Sequence, residues 1–161
     1  MKIGGLGIRE HVRLVAPLFG LIAAIWALRW ILGVVAAPRW LIGIFSLTLA
    51  TPVAILLAVL LMHVRRIGGY TNVVVVSLLL NAWAQLLIVA AILVSVASGV
   101  ENIYTRPEFS ILGNDPHHVR HMYGHLVFGI AFSTPIGAAV GSFLLFLLRR
   151  MVPVETGELK R

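Results

Sequence analysis

Four of the six histidines fall between positions 117 and 125: His117, His118, His121 and His125. On a helix, residues four apart lie one turn apart on one face, so imidazoles at that spacing can grip a single metal ion. His117, His121 and His125 have the spacing i, i+4, i+8. Three histidines on one straight helix do not converge, because the outer two stand about 12 Å apart at 1.5 Å rise per residue. Two histidines with a carboxylate are a better set, and Glu101, Glu108 and Asp115 lie nearby in sequence. The expected metal ligands are therefore His117, His121, His125, Glu101 and Glu108. His118, Asp115 and Tyr104 are placed around them as supporting groups. Neutral imidazole suits copper, zinc or iron.

Haem is the other cofactor these residues fit. Its iron takes axial ligands from opposite sides, usually from two helices. His11 and His63 fall at the ends of two antiparallel apolar runs and would lie at one depth. The neighbouring arginines suit propionate groups, because guanidinium pairs well with carboxylate. Arg29 is a further candidate for an anionic partner. It either reaches outward to the interface or is buried with an acid, since an unpaired charge in hydrocarbon is costly.

These groups must be held by helices. The chain has 161 residues, 60% hydrophobic and only 12% charged, against about 25% charged in soluble domains. Mean hydropathy is +0.99. Four apolar runs exceed what a soluble core needs. The expected fold is an all-α integral membrane protein, a single domain over 1–161. It is a bundle of four transmembrane helices at about 14–36, 41–62, 71–98 and 116–148. A His-rich loop over 99–124 joins the last two. Residues 1–13 read as a basic leader, and the first run is too long for a signal-peptide core. Thr51-Pro52 and Ser133-Thr134-Pro135 mark expected kinks. Asp115 is the expected N-cap of the last helix, with Pro116 in its first turn.

Basic residues near helix ends set the orientation. Lys2, Arg9, Arg13, Arg65, Arg66, Arg149, Arg150, Lys160 and Arg161 fall on one side. Arg29, Arg39, Arg106 and Arg120 fall on the other. Nine against four puts both termini inside and the His-rich loop outside, in what reads as a prokaryotic cytoplasmic membrane. The net charge of +7 follows from that topology, and nucleic acid is not an expected partner. The lipid bilayer is one, with other membrane subunits or further copies of the chain.

Below the histidines the i+4 row continues as Gly129, Ser133, Gly137 and Gly141, small residues that let another helix approach closely. Asn81 and Gln85, one turn apart in the third run, are expected to bond between helices or to touch a quinone or pore. The absence of cysteine excludes thiolate metal sites and iron–sulfur ligation by this chain alone. No nucleotide-binding glycine motif or GxSxG is present, and no acidic residue falls within an apolar run. Together these features point to a small membrane subunit of an electron-transfer complex, such as a respiratory chain. Its metal or haem site would lie at the outer face. The alternatives are a cofactor-free docking subunit and a metal-dependent membrane enzyme.

Overall fold

The computed structural model describes residues 2–106, 115 and 118–151. Four spans are long and apolar enough to cross a membrane: Ile8–Val34, Arg39–Val64, Tyr70–Ser98 and Val119–Met151. They form a helical bundle, as the apolar runs predict. The expected kinks, leader and loop are revised in detail.

The chain opens with a small antiparallel hairpin, β1 (Lys2–Ile3) and β2 (Leu6–Gly7). Gly4 and Gly5 turn it with positive φ angles of 58° and 87°, a region where side chains are strained. Helix α1 then runs Ile8–Val34, starting six residues before the expected position. The cause is Glu10, whose Oε2 accepts the Gly7 N–H at 2.5 Å and so satisfies an orphan donor of the first turn.

The second span is two helices, α2 (Arg39–Ile44) and α3 (Leu47–Val64). The break falls at Phe45-Ser46, ahead of the expected Thr51-Pro52 kink. Ser46 has extended backbone, φ −82° and ψ 144°, and its carbonyl accepts the first α3 amides from Leu49 and Ala50. Pro52 is the sixth residue of α3, and Thr51 donates its hydroxyl to the Leu47 carbonyl at 2.8 Å.

Helix α4 runs Tyr70–Ser98 and ends at Gly99, left-handed at φ 67°, the usual glycine stop. The segment after it does not behave as a solvated loop. Asn102 donates its amide to the Ala91 carbonyl at 2.7 Å and accepts the Tyr104 N–H at 2.9 Å. Thr105 pairs with Ser95 at 3.0 Å. Ile103, fully buried, sits where a Cβ on Gly33 would be 2.8 Å away. Residues 102–105 are thus folded back into the bundle.

The last span is α5 (Val119–Tyr123), a π-helical turn (Gly124–Gly129) and α6 (Ile130–Met151). The helix starts at Val119 with His118 in the N-cap position, not at 116 behind an Asp115 N-cap, yet the Asp115 carboxylate still serves its first turn. Its Oδ2 accepts the Arg120 and His121 N–H groups at 2.7 and 3.3 Å. Pro116 and His117 lie outside the described residues.

Helices α3 and α4 form the central pair. Helix α1 packs against both on one side and α6 against both on the other. Trp83 of α4 donates its indole N–H to the Phe19 carbonyl of α1 at 3.1 Å. Gly137 and Gly141 are buried in α6 against Ile55, Val59 and Val73, the close approach expected from the small-residue row.

At the hairpin end, the fully buried His11 is held by the chain itself. Its Nδ1 meets the Gly7 carbonyl at 2.9 Å, and its Nε2 meets Asn72 Oδ1 at 2.8 Å. Asn72 also donates to the Gly4 carbonyl at 3.0 Å. Replacing Asn72 by Leu keeps the volume and strands both partners. The expected cost is about 1–3 kcal/mol, read as a lower unfolding temperature in detergent. An unchanged Tm would show that the hairpin is not clamped by this residue.

Candidate functional site

Gln85 stands fifteen residues after the start of α4 and thirteen before its end. The π turn on the opposing helix brings His125 to it, and His125 Nδ1 lies 2.7 Å from Gln85 Oε1. On the other side of the same ring, His125 Nε2 lies 3.1 Å from His121 Nε2. The two rings are 4.9 Å apart, tilted by 40°. The His121–His125 pair is thus the i, i+4 pair that the sequence predicts. It sits deeper than expected, because its partner is halfway along α4 and not at the mouth of the bundle.

The hydrogen-bond pattern constrains the tautomers. Gln85 Oε1 can only accept, so His125 Nδ1 carries a proton. A neutral His125 then has its lone pair on Nε2, and His121 Nε2–H donates to it. That leaves the lone pair of His121 on Nδ1, which is buried with no hydrogen-bond partner among the described residues. A buried acceptor without a partner is costly. Without the shared proton, both Nε2 lone pairs point at one place. Their 3.1 Å separation is close to the roughly 3.3 Å between two nitrogens on one tetrahedral zinc at 2.0–2.1 Å. Gln85 then occupies the position where metal-bound histidines usually have an acceptor for their other N–H.

Of the remaining expected ligands only Glu101 is among the described residues, and it does not join the histidine pair. Among the described residues, no group of three or more His, Cys, Asp or Glu side chains is placed to hold a metal. His117 and Glu108 lie outside the described residues. Glu101 is exposed and lines a separate cleft with Trp30, Gly33 and Arg106. The His118 ring is 6.2 Å from that of His121. Asp115 serves the helix start through its carboxylate.

Tyr104 belongs to another cluster, on α1. Its ring stacks 6.5 Å from Trp26, and its hydroxyl donates to the Trp26 carbonyl at 3.3 Å. The Arg29 guanidinium lies 5.2 Å over the same ring. Burial pushes the Tyr104 hydroxyl above the ordinary phenol range, and Arg29 opposes that shift. Arg29, expected at the interface or against an acid, thus has an aromatic face as a partner.

His11 and His63, the expected haem pair, each have their own surroundings at the hairpin end of the bundle. His11 has both ring nitrogens bonded to the chain. His63 lines a separate pocket with Arg66, Gly68 and Arg149. Iron ligation by His11 would have to break one of its two bonds.

Sequence reasoning noticed Gln85 without assigning it to the histidines. The available signal was a carboxamide halfway along an apolar helix, which needs a partner from elsewhere. Asn81, its neighbour in sequence, bonds within its own helix, donating to the Ser77 carbonyl at 2.9 Å. Comparison with protein-family models, curated proteins and solved structures finds no match to this chain.

Proposed function

We propose that this chain is an integral membrane subunit of an electron-transfer complex, holding a transition-metal ion between His121 and His125. The observation that supports the reading is the convergence of the two Nε2 atoms, with Gln85 fixing the ring of His125. Copper and iron suit imidazole and change oxidation state, and zinc suits it without redox chemistry. Two histidines leave coordination positions for other ligands. Among the described spans the one acidic residue is Glu10, in the first turn of α1, and with none further in, a proton or cation relay is disfavoured. An electron carrier or a ligand for a neighbouring subunit's centre fits better.

The test is metal analysis of detergent-purified protein, with visible and electron paramagnetic resonance spectra during redox titration. About one copper or iron per chain, with a reversible spectral change, supports the proposal. Zinc without a redox signal moves the chain to the metal-dependent enzyme class. No uptake of copper, iron or zinc rejects the ion and leaves the docking-subunit reading. One observation favours that second reading. Helix α6 and the π turn expose Phe128, Phe132, Ile136 and Phe143, a ridge that would face lipid or another membrane subunit.

The proposed orientation places both termini in the cytoplasm. The β hairpin, the turn after α3 and the end of α6 share one end of the bundle, joined by Asn72 to Gly4 and by Arg149 to the Gly68 carbonyl. A reporter fused after Arg161 or inserted within Arg65–Gly69 is expected to read cytoplasm. One within Glu101–Asn114 is expected to read the outside. The reverse pattern would overturn the charge argument and the side assigned to the histidines.

A further inference from the structure

Between α3, α4 and α6, next to His125, lies a cavity of about 250 Å³. We infer that it is a binding site for an uncharged, ring-sized amphipathic molecule that carries hydrogen-bonding groups and enters sideways from the bilayer. The inference takes the membrane reading as given but not the metal ion.

The walls determine the class of ligand. Ile55, Ile88 and Val140 make them largely apolar, and among the described residues no Asp, Glu, Lys or Arg lines them. A charged ligand would find no counter-charge there and is disfavoured in a dry site. Six polar side chains nevertheless line the cavity, among them Asn81, Gln85, His125 and Ser133. The bonds already made show what they still offer. Asn81 has committed its amide nitrogen to Ser77, which leaves its oxygen as an acceptor. Gln85 has committed its oxygen to His125, which leaves its NH₂ as a donor. Ser133 can do either. A saturated acyl chain would leave all of these groups unpaired. A ring bearing a carbonyl acceptor and a hydroxyl donor would pair them.

The route follows from the rim. Pro52, Ile136 and Val140 line the cavity and are also exposed on the outer surface of α3 and α6. The opening is therefore lateral, toward the region the bilayer would occupy. Pockets of this kind, apolar with a few convergent polar groups, are the usual small-molecule sites of helical bundles.

The test uses 4-hydroxybenzophenone, a neutral photoreactive ring compound with one carbonyl and one hydroxyl, on the full chain in lipid nanodiscs. Saturable crosslinking is expected, with adducts mapped by mass spectrometry to peptides containing Ile55, Ile88 or Val140. Asn81→Leu removes one hydrogen bond and is expected to weaken half-saturation by about 2- to 10-fold. Ile136→Trp places a bulky group at the exposed rim, where folding is not at stake, and is expected to abolish the saturable adducts. His121→Ala is expected to leave them unchanged, since His121 does not line the cavity. The same variant removes a proposed metal ligand, so failure of the ion and failure of the cavity are read separately. Adducts that never saturate, or that persist equally in Ile136→Trp, would overturn the inference. A co-purified lipid chain in the cavity that excess probe does not displace would overturn it too.

Discussion

Gly137→Leu and Gly141→Leu are each expected to destabilise the bundle by about 1–3 kcal/mol and to lower its unfolding temperature in detergent. A Cβ on Gly137 would lie 2.5 Å from Ile55 Cδ1. On Gly141 it would lie 2.8 Å from Val73 Cγ1 and 3.2 Å from both Ile55 Cγ2 and Val59 Cγ2. At Gly137 the end of the Ile55 side chain could swing aside for a Cβ alone but not for a whole leucine, and at Gly141 the contacts are with Cγ atoms that have less room to move. The opposing residues are β-branched and stiff at χ1, and they belong to two helices at once, so α6 would have to back away from α3 and α4 together. Gly20 and Gly43 supply the control, because no described residue lies within 4 Å of a Cβ there. Leucine at either is expected to leave the Tm unchanged. Equal tolerance at all four positions would mean that α6 does not pack by its glycine face.

The second large effect is on metal content. His121→Ala or His125→Ala is expected to remove most of the bound ion, since each takes away one of two convergent nitrogens. Gln85→Leu leaves both nitrogens in place but frees the His125 ring, and loss of such an orienting acceptor weakens metal affinity by about 10–100-fold. His118→Ala is expected to do least, with its ring 6.2 Å away. The measurement is metal per chain after dialysis against a graded chelator. Full metal retention in the His121→Ala, His125→Ala double variant would remove the site altogether.

Much of this architecture is legible in the residues. Apolar run length identifies all four spans, and i, i+4 spacing pairs His121 with His125. Where the reading failed, the deciding interaction was either local and subtle or very distant. Glu10 starts α1 early through a single carboxylate bond that competes with a basic, leader-like composition. The break at Phe45-Ser46 carries no proline, whereas Pro52, which looked like the kink, is accommodated inside α3. Residues 99–106 are polar enough to read as exposed, yet Asn102 and Thr105 satisfy their polar groups on α4 and let Ile103 be buried. Gln85 meets His125 from forty residues away, and Asn72 meets His11 from sixty-one. Such pairs are fixed by which helix faces which, and residue spacing along one helix does not reveal that.

The π turn over Gly124–Gly129 has a consequence for how the histidines are aimed. In an unbroken α-helix each step of four residues drifts by roughly 40°, so a row traced from Gly141 back to His125 would wind about 160° around the axis. Spreading one extra residue through a turn takes back about 100° of that drift. The turn thus works as a vernier between the glycine seam that anchors α6 and the imidazoles above it. Their alignment with Gln85 is encoded in the number of residues as well as in their kinds. Deleting one residue from Gly124–Gly129 would leave every histidine and glycine present and swing His121 by about a quarter of a turn, away from α4.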